Sequence, residues 1–151
     1  MLNNEFGSDY HQLDDFPRVV DTPSIRKWNS GNLYADGRQA INALIDFRGW
    51  KRIWIPTYFC QEVVESIRKT GIEVVYYDDY PLADDNKAIG SIEIMPEDVI
   101  LRMNYFGLRG WRDSRNLGVD VIEDHSHDLT GEWVANSNAD WCIASLRKSL
   151  P

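Results

Sequence analysis

The feature that most constrains this chain is a regular exchange between short apolar runs and amphipathic helical stretches. Residues 52–55, 72–77, 99–106, 119–122 and 139–145 are apolar and rich in β-branched or aromatic side chains, which predicts strands. Residues 36–47 carry Ala40, Ile41, Leu44 and Ile45 at helical spacing, with Asp36 placed to cap the start and Gly49 to end the helix. Residues 59–69 repeat the pattern, with Val63, Val64 and Ile67 inward and Gly71 closing. Residues 111–117 read as a short third helix, and the polar stretch 79–97 as a loop. Strands alternating with helices predict an α/β fold, a three-layer sandwich around a mostly parallel sheet. Residues 1–33 lack periodicity and are broken by Gly7, Pro17, Pro23 and Gly31, so they read as an arm or irregular lead-in to a domain over 34–151.

Composition narrows the partners. A formal charge of -8 opposes both nucleic acid, which needs a basic face, and anionic membrane surfaces. No apolar run approaches the ~18 residues of a membrane span. The first residues, Met1 to Glu5, have no secretory-leader pattern. Cys60 and Cys142 are far apart and form no CxxC, which suits a reducing compartment. The expectation is a cytoplasmic protein.

In a parallel α/β sheet, chemistry collects beyond the carboxyl ends of the strands. Four clusters fall there: 56–59, 104–107, 124–127 and 145–148. Asp124, after an apolar strand, is either a loop cap or a fixed carboxylate able to hold a proton on a ring nitrogen. Lys148 follows the last strand, with Arg147 beside it and Ser145 three residues back. A lysine desolvated there, beside another cation, would be a good nucleophile, and Ser145 offers a hydroxyl to a phosphate oxygen. Gly37 and Arg38 open the first helix, where free amides attract anions. One of the neighbours Tyr58 and Phe59 can stack on a flat ring, while core packing is the ordinary use of both. His125 and His127 flank Ser126, so Asp124, His125 and His127 also raise a metal site, although no further ligand appears at a familiar spacing. An anion site, a ring stacker, an acid for a ring nitrogen and a lysine nucleophile together make the set that pyridoxal 5'-phosphate (PLP) requires.

The order of these motifs resembles the N-terminal part of the large domain of the DegT/DnrJ/StrS aminotransferases, a PLP-dependent family with the aspartate-aminotransferase-like fold. The likeness runs from about residue 34 to 151. Asp36-Gly37-Arg38-Gln39-Ala40-Ile41 stands where the family has its phosphate-binding Ser-Gly-Thr helix start, with Arg38 in place of the threonine. Ile55-Pro56-Thr57-Tyr58-Phe59 and Asn104-Tyr105-Phe106-Gly107 match two strand ends, and Val121-Ile122-Glu123-Asp124-His125-Ser126-His127 is the most specific match. The resemblance implies that Asp124 pairs with the pyridine nitrogen, that His127 lies near the ring's phenolic oxygen, that Asn104 belongs to the cofactor site, that Ser145 holds the phosphate and that Lys148 anchors the cofactor. Lys148 comes two residues earlier than in that family. The resemblance also implies a large domain truncated at its C-terminus, a homodimer, and small-molecule substrates: an amino donor and a keto sugar or similar carbonyl acceptor. A non-catalytic fragment of this fold acting as a binding or interaction module is the second reading, and a metal-dependent hydrolase using Asp124, His125 and His127 is the third.

Overall fold

The computed structural model describes residues 32–148. They form an α/β layer in the order α1 (Gly37–Arg48), β1 (Arg52–Pro56), α2 (Gln61–Arg68), β2 (Glu73–Tyr77), α3 (Asp85–Gly90), β3 (Asp98–Met103), β4 (Asp120–Asp124), α4 (Glu132–Asn136) and β5 (Trp141–Ile143). Short 3-10 turns at Arg115–Leu117 and Leu146–Lys148 complete them. The five strands pair in the order β2-β1-β3-β4-β5, all parallel. The predicted lead-in, apart from its last two residues, lies outside the described residues. Among the described residues no helix is long and apolar enough to cross a membrane.

Strand alternation sorts the core into two layers. Ile53, Ile55, Val99, Leu101, Ile122 and Ile143 meet Ile41 and Ile45 of α1 and Val64 and Ile67 of α2 on one face. Trp54, Tyr77 and Ile100 meet Ile89 of α3 on the other, with Leu117 and Val119 alongside. Each isoleucine taken out of water contributes ~1.5–3 kcal/mol, so the first layer is the main source of stability. Helix α1 starts as its sequence dictates. The Asp36 carboxylate accepts the Gln39 amide at 2.9 Å, and Gly49, at φ 68°, closes the last turn by donating to the Ile45 carbonyl at 2.8 Å.

Two arginine–tryptophan clamps tie down the amino ends of the strands. Arg48 and Trp50 both donate to the Asp120 carboxylate, each at 2.9 Å. Arg52 and Trp54 both donate to Asp98, at 2.9 and 2.8 Å, and the Met95 amide joins them at 2.8 Å. The contact from the end of α1 to the start of β4 also fixes direction. Helix α1 runs antiparallel to the strands, so its N-terminus lies toward their carboxyl ends.

Several expectations shift. The segment 79–97 is no plain loop, because α3 forms within it behind the Asp84 cap, which accepts from Asn86 at 3.2 Å. The predicted helix over 111–117 contracts to the 3-10 turn at Arg115–Leu117, closed by Gly118 at φ 74°. The third strand stops at Met103, because Phe106 and Gly107 both take positive φ, 54° and 67°, and turn the chain away. Helix α4 has only five residues and had no prediction.

Candidate cofactor site at the carboxyl edge of the sheet

The end of β4 brings three predicted residues into one neighbourhood. Asp124 is buried on the face that carries α1, and its Oδ1 accepts the Ser126 amide at 2.8 Å. His127 is half-buried and stacks on Phe106, with ring centroids 4.3 Å apart and planes inclined by 7°. Burial first, and then the positive charge of Lys148, hold the His127 imidazole below the usual histidine pKa, while the Asp124 charge pulls the other way. The His127 Nδ1 is buried and has no hydrogen-bond partner among the described residues.

Lys148 lies on the 3-10 turn after β5, where its amide donates to the Ser145 carbonyl at 3.1 Å. Its side chain is exposed, not desolvated as the sequence suggested, and Ser145 is half-buried. At the N-terminus of α1, Arg38 is turned back onto Asp36, with Nη2 2.7 Å from Oδ2. The space that a Cβ would fill at Gly37 is open.

Tyr58 and Phe59 divide as adjacent residues should. Phe59 is half-buried and packs against the core cluster that carries Ile41 and Val64, the ordinary use of such an aromatic. Tyr58 is 56% exposed and meets Tyr105 edge-on, with centroids 5.7 Å apart. Tyr105 was not singled out by sequence reasoning, yet it organises this corner. Its hydroxyl donates to the Tyr58 carbonyl at 2.7 Å, and Arg109 lies 4.9 Å over its ring. Burial, and then the negative charge of Asp79, push the phenol above its usual pKa, so it stays a donor. Arg109 in turn pairs with the fully buried Asp79 at 2.6 Å and bonds the Tyr80 carbonyl.

Asn104 is fully buried and bridges two neighbours. Its Nδ2 lies 3.2 Å from His125 Nδ1 and 3.3 Å from Asp128 Oδ2, while its Oδ1 has no partner among the described residues. It supports the loop 124–128 from below. The Asp128 carboxylate holds that loop onto α4 by accepting the Gly131 amide at 2.8 Å.

The metal expectation fails on strand geometry. Asp124 faces the α1 side, while His125 turns to the opposite face and His127 stacks on Phe106, so the three do not converge. Among the described residues, the one His/Cys/Asp/Glu group whose ligand atoms do converge is Glu123, His125 and Cys142. It belongs to a buried polar layer that sequence reading missed. Glu123 and His125 are completely buried and 3.2 Å apart, Ser114 donates to Glu123 at 2.9 Å, and Arg102 donates to Ser114 at 2.9 Å. Burial alone would lower the His125 pKa, but its hydrogen bonds to Cys142 and Glu123 outweigh that and raise it to about 9. A charged residue inside a run such as Val99-Ile-Leu-Arg-Met103 was the available signal.

A cavity of about 540 Å³, with Trp50, Asp98, Ser114 and Val119 in its lining, opens at the opposite, amino end of the sheet. Of the acids in its lining, Asp98 and Asp120 are held by the arginine–tryptophan clamps and Asp140 accepts the Val121 amide at 2.9 Å.

No protein-family model matches the sequence, and no curated protein matches it. Among solved structures, the chain is similar to a serine palmitoyltransferase from S. paucimobilis with bound PLP and myriocin, at 12% identity and a TM-score of 0.42, over 82% of this chain and 45% of that one. It is similar to Sphingomonas wittichii serine palmitoyltransferase at 12% identity and a TM-score of 0.42, over 84% of this chain and 45% of that one. The chain thus spans less than half the length of these structures.

Proposed function

We propose that this chain carries the PLP-binding part of an aminotransferase of the DegT/DnrJ/StrS kind, which moves an amino group from a small donor to a keto sugar or similar carbonyl acceptor. The reading rests on the placement of Asp124 at the end of β4, His127 in the loop after it and Lys148 on the turn after β5, all on the carboxyl side of the sheet. The donor set suits the cofactor. A buried carboxylate, an unpartnered His127 Nδ1, an exposed lysine, and an open helix N-terminus with a guanidinium beside it answer its ring nitrogen, phenolic oxygen, aldehyde and phosphate.

Bound PLP supplies an electron sink for carbanion chemistry. In this reading Asp124 keeps a proton on the ring nitrogen, held in place by the Ser126 amide. Lys148 would hold the cofactor through Nζ, and its amine would be the general base and acid available for proton transfer at the substrate. Gly37 and Arg38 at the start of α1, with Ser145, hold the phosphate, and Arg38 must leave Asp36 to do so. That pair is exposed, so the rearrangement is a mild one. His127 offers Nδ1 to the phenolic oxygen, Asn104 braces the loop beneath it, and Tyr58 is the aromatic available to lie over the ring. Residues 34–151 would then be part of a larger cofactor-binding domain that works as a homodimer in the cytoplasm.

The test is direct. The purified chain is mixed with PLP, followed by visible absorbance, treated with borohydride and mapped by mass spectrometry. A phosphopyridoxyl label on Lys148, absent in Lys148→Ala, is the expected result. No label on any lysine sinks the cofactor reading, and a label elsewhere keeps the cofactor but removes Lys148 as its anchor.

A further inference from the structure

We propose that Glu123, His125 and Cys142 form a site for one divalent cation of the zinc class, which clips β5 to β4 on the sheet face opposite Asp124. Strand geometry builds the site. Glu123 lies on β4 and His125 follows two residues later, so both point to the same face. Strands β4 and β5 run parallel with Glu123 opposite Cys142, which sets the thiol beside the carboxylate. The His125 amide donates to the Ile143 carbonyl at 2.8 Å, which carries the pairing one step past the strand. As a result, one ligand atom from each of the three side chains lies within 4.8 Å of the other two. Zinc bonds of about 2.0–2.3 Å place tetrahedral ligands roughly 3.3–3.8 Å apart, so small side-chain rotations close the site.

The chemistry selects the ion. A thiolate, an imidazole and a carboxylate form a borderline-soft set that suits zinc, whereas calcium and magnesium want oxygen throughout. Two anionic ligands balance the dication inside a buried layer, and the thiol proton leaves to solvent on binding. The supports are already in place. Ser114 holds Glu123 Oε1 at 2.9 Å, which leaves Oε2 facing His125. Asn104 lies against His125 Nδ1, and its amide, with Oδ1 unpartnered among the described residues, can offer either end to that nitrogen. Ser137 Oγ sits 3.3 Å from Cys142 Sγ. Such outer contacts orient ligands and tune affinity. Cys142 is half-buried while its partners are fully buried, so the ion enters from the cysteine side and a water completes the fourth position.

The test uses the whole chain, reduced and stripped with chelator, and titrated with zinc or with cobalt as a coloured probe. The expected result is one equivalent bound with a sulfur-to-cobalt charge-transfer band that Cys142→Ser abolishes. In the unmutated chain, zinc should slow iodoacetamide labelling of Cys142 roughly tenfold or more, because the metal holds the reactive thiolate. The exposed Cys60 should react as before and serves as the internal control. Ser114→Ala should weaken zinc about tenfold or more through loss of an outer-shell contact. No bound metal, a cobalt complex without a sulfur band, or zinc binding that leaves Cys142 labelling unchanged would each overturn the proposal. The labelling result needs no variant to fold.

Discussion

The imidazole of His127 lies flat on the ring of Phe106, with centroids 4.3 Å apart. Phe106 reaches that position only by adopting φ 54°, a region that bulky residues avoid. The stack and the strained backbone have opposite effects on stability. Phe106→Gly relieves roughly 1–3 kcal/mol of strain and loses roughly 0.5–1.5 kcal/mol of ring contact. Urea unfolding should therefore show the variant as stable as the parent or somewhat more so, while its PLP affinity falls because His127 is no longer held. A large loss of stability would show that Phe106 does more packing than its 54% exposure implies.

His127 should titrate below the ordinary histidine value of about 6.5, a prediction that needs no ligand. Lys148→Met removes a repelling cation and should raise its pKa, whereas Asp124→Asn removes an attracting anion and should lower it further. NMR titration of the imidazole protons reads both signs. If neither variant moves His127, the two charges are not where the candidate site needs them.

Asp98 anchors Arg52, Trp54 and the Met95 amide at once, and its side chain is only 2% exposed. Burial pushes its carboxyl up, but those hydrogen bonds prevail and hold it below the usual aspartate value of 3.8. A depressed pKa means stability that is fully present above 3.8 and lost as pH falls through the lower folded value. Asp98→Ala should cost ~2–4 kcal/mol at neutral pH by leaving buried donors unpaired, and should flatten the acid limb of the stability profile. Chemical denaturation at several pH values checks both.

At the start of α1, Asp36 competes with any bound phosphate for Arg38. Asp36→Ser keeps a capping oxygen and frees the guanidinium, so PLP or inorganic phosphate should bind more tightly. Arg38→Ala should weaken the same binding. Calorimetric titration of both variants discriminates, and equal affinities would place the anion elsewhere.

Gly131 admits no side chain. A Cβ there would sit 1.9 Å from Asp128 Oδ2, and Asp128 is fixed by the Gly131 amide and by Asn104. Gly131→Ala should destabilise the chain by ~1–3 kcal/mol, loosening α4 and the loop 124–128 together. Faster amide exchange at Ala135, whose N–H bonds the Gly131 carbonyl, would report it.

Where side chains repeat with a clean period, the sequence announced the fold. Ile41 and Ile45, or Val64 and Ile67, mark their helices because one face of each is apolar and the other charged. The parallel sheet followed from strand–helix alternation. Asp124, His127 and Lys148 were legible as strand-end residues, since connectivity alone puts them at one edge. What escaped depends on distant partners. Tyr105 reads as one more core aromatic until its hydroxyl is seen on the Tyr58 carbonyl, and Arg102 and Glu123 look like surface charges until Ser114 is found between them. Phe59 and Tyr58 could not be told apart, because only the turn after Pro56 decides which one faces the core. Helix α4 rests on Asp128 and Gly131 across a loop, a tertiary relation with no local period.

The two arginine–tryptophan clamps have a consequence for how such a chain can change. They fasten the strands from the end opposite Asp124 and His127, so the side chains that would meet a ligand are not the ones that hold the strands together there. Mutations near Asp98 and Asp120 should register as expression and melting, while those near Asp124 and His127 should register as ligand choice. Selection can therefore change the exposed side chains at the carboxyl edge, such as Tyr58 and Lys148, without touching the clamps, and that separation gives such a sheet room to take on new substrates.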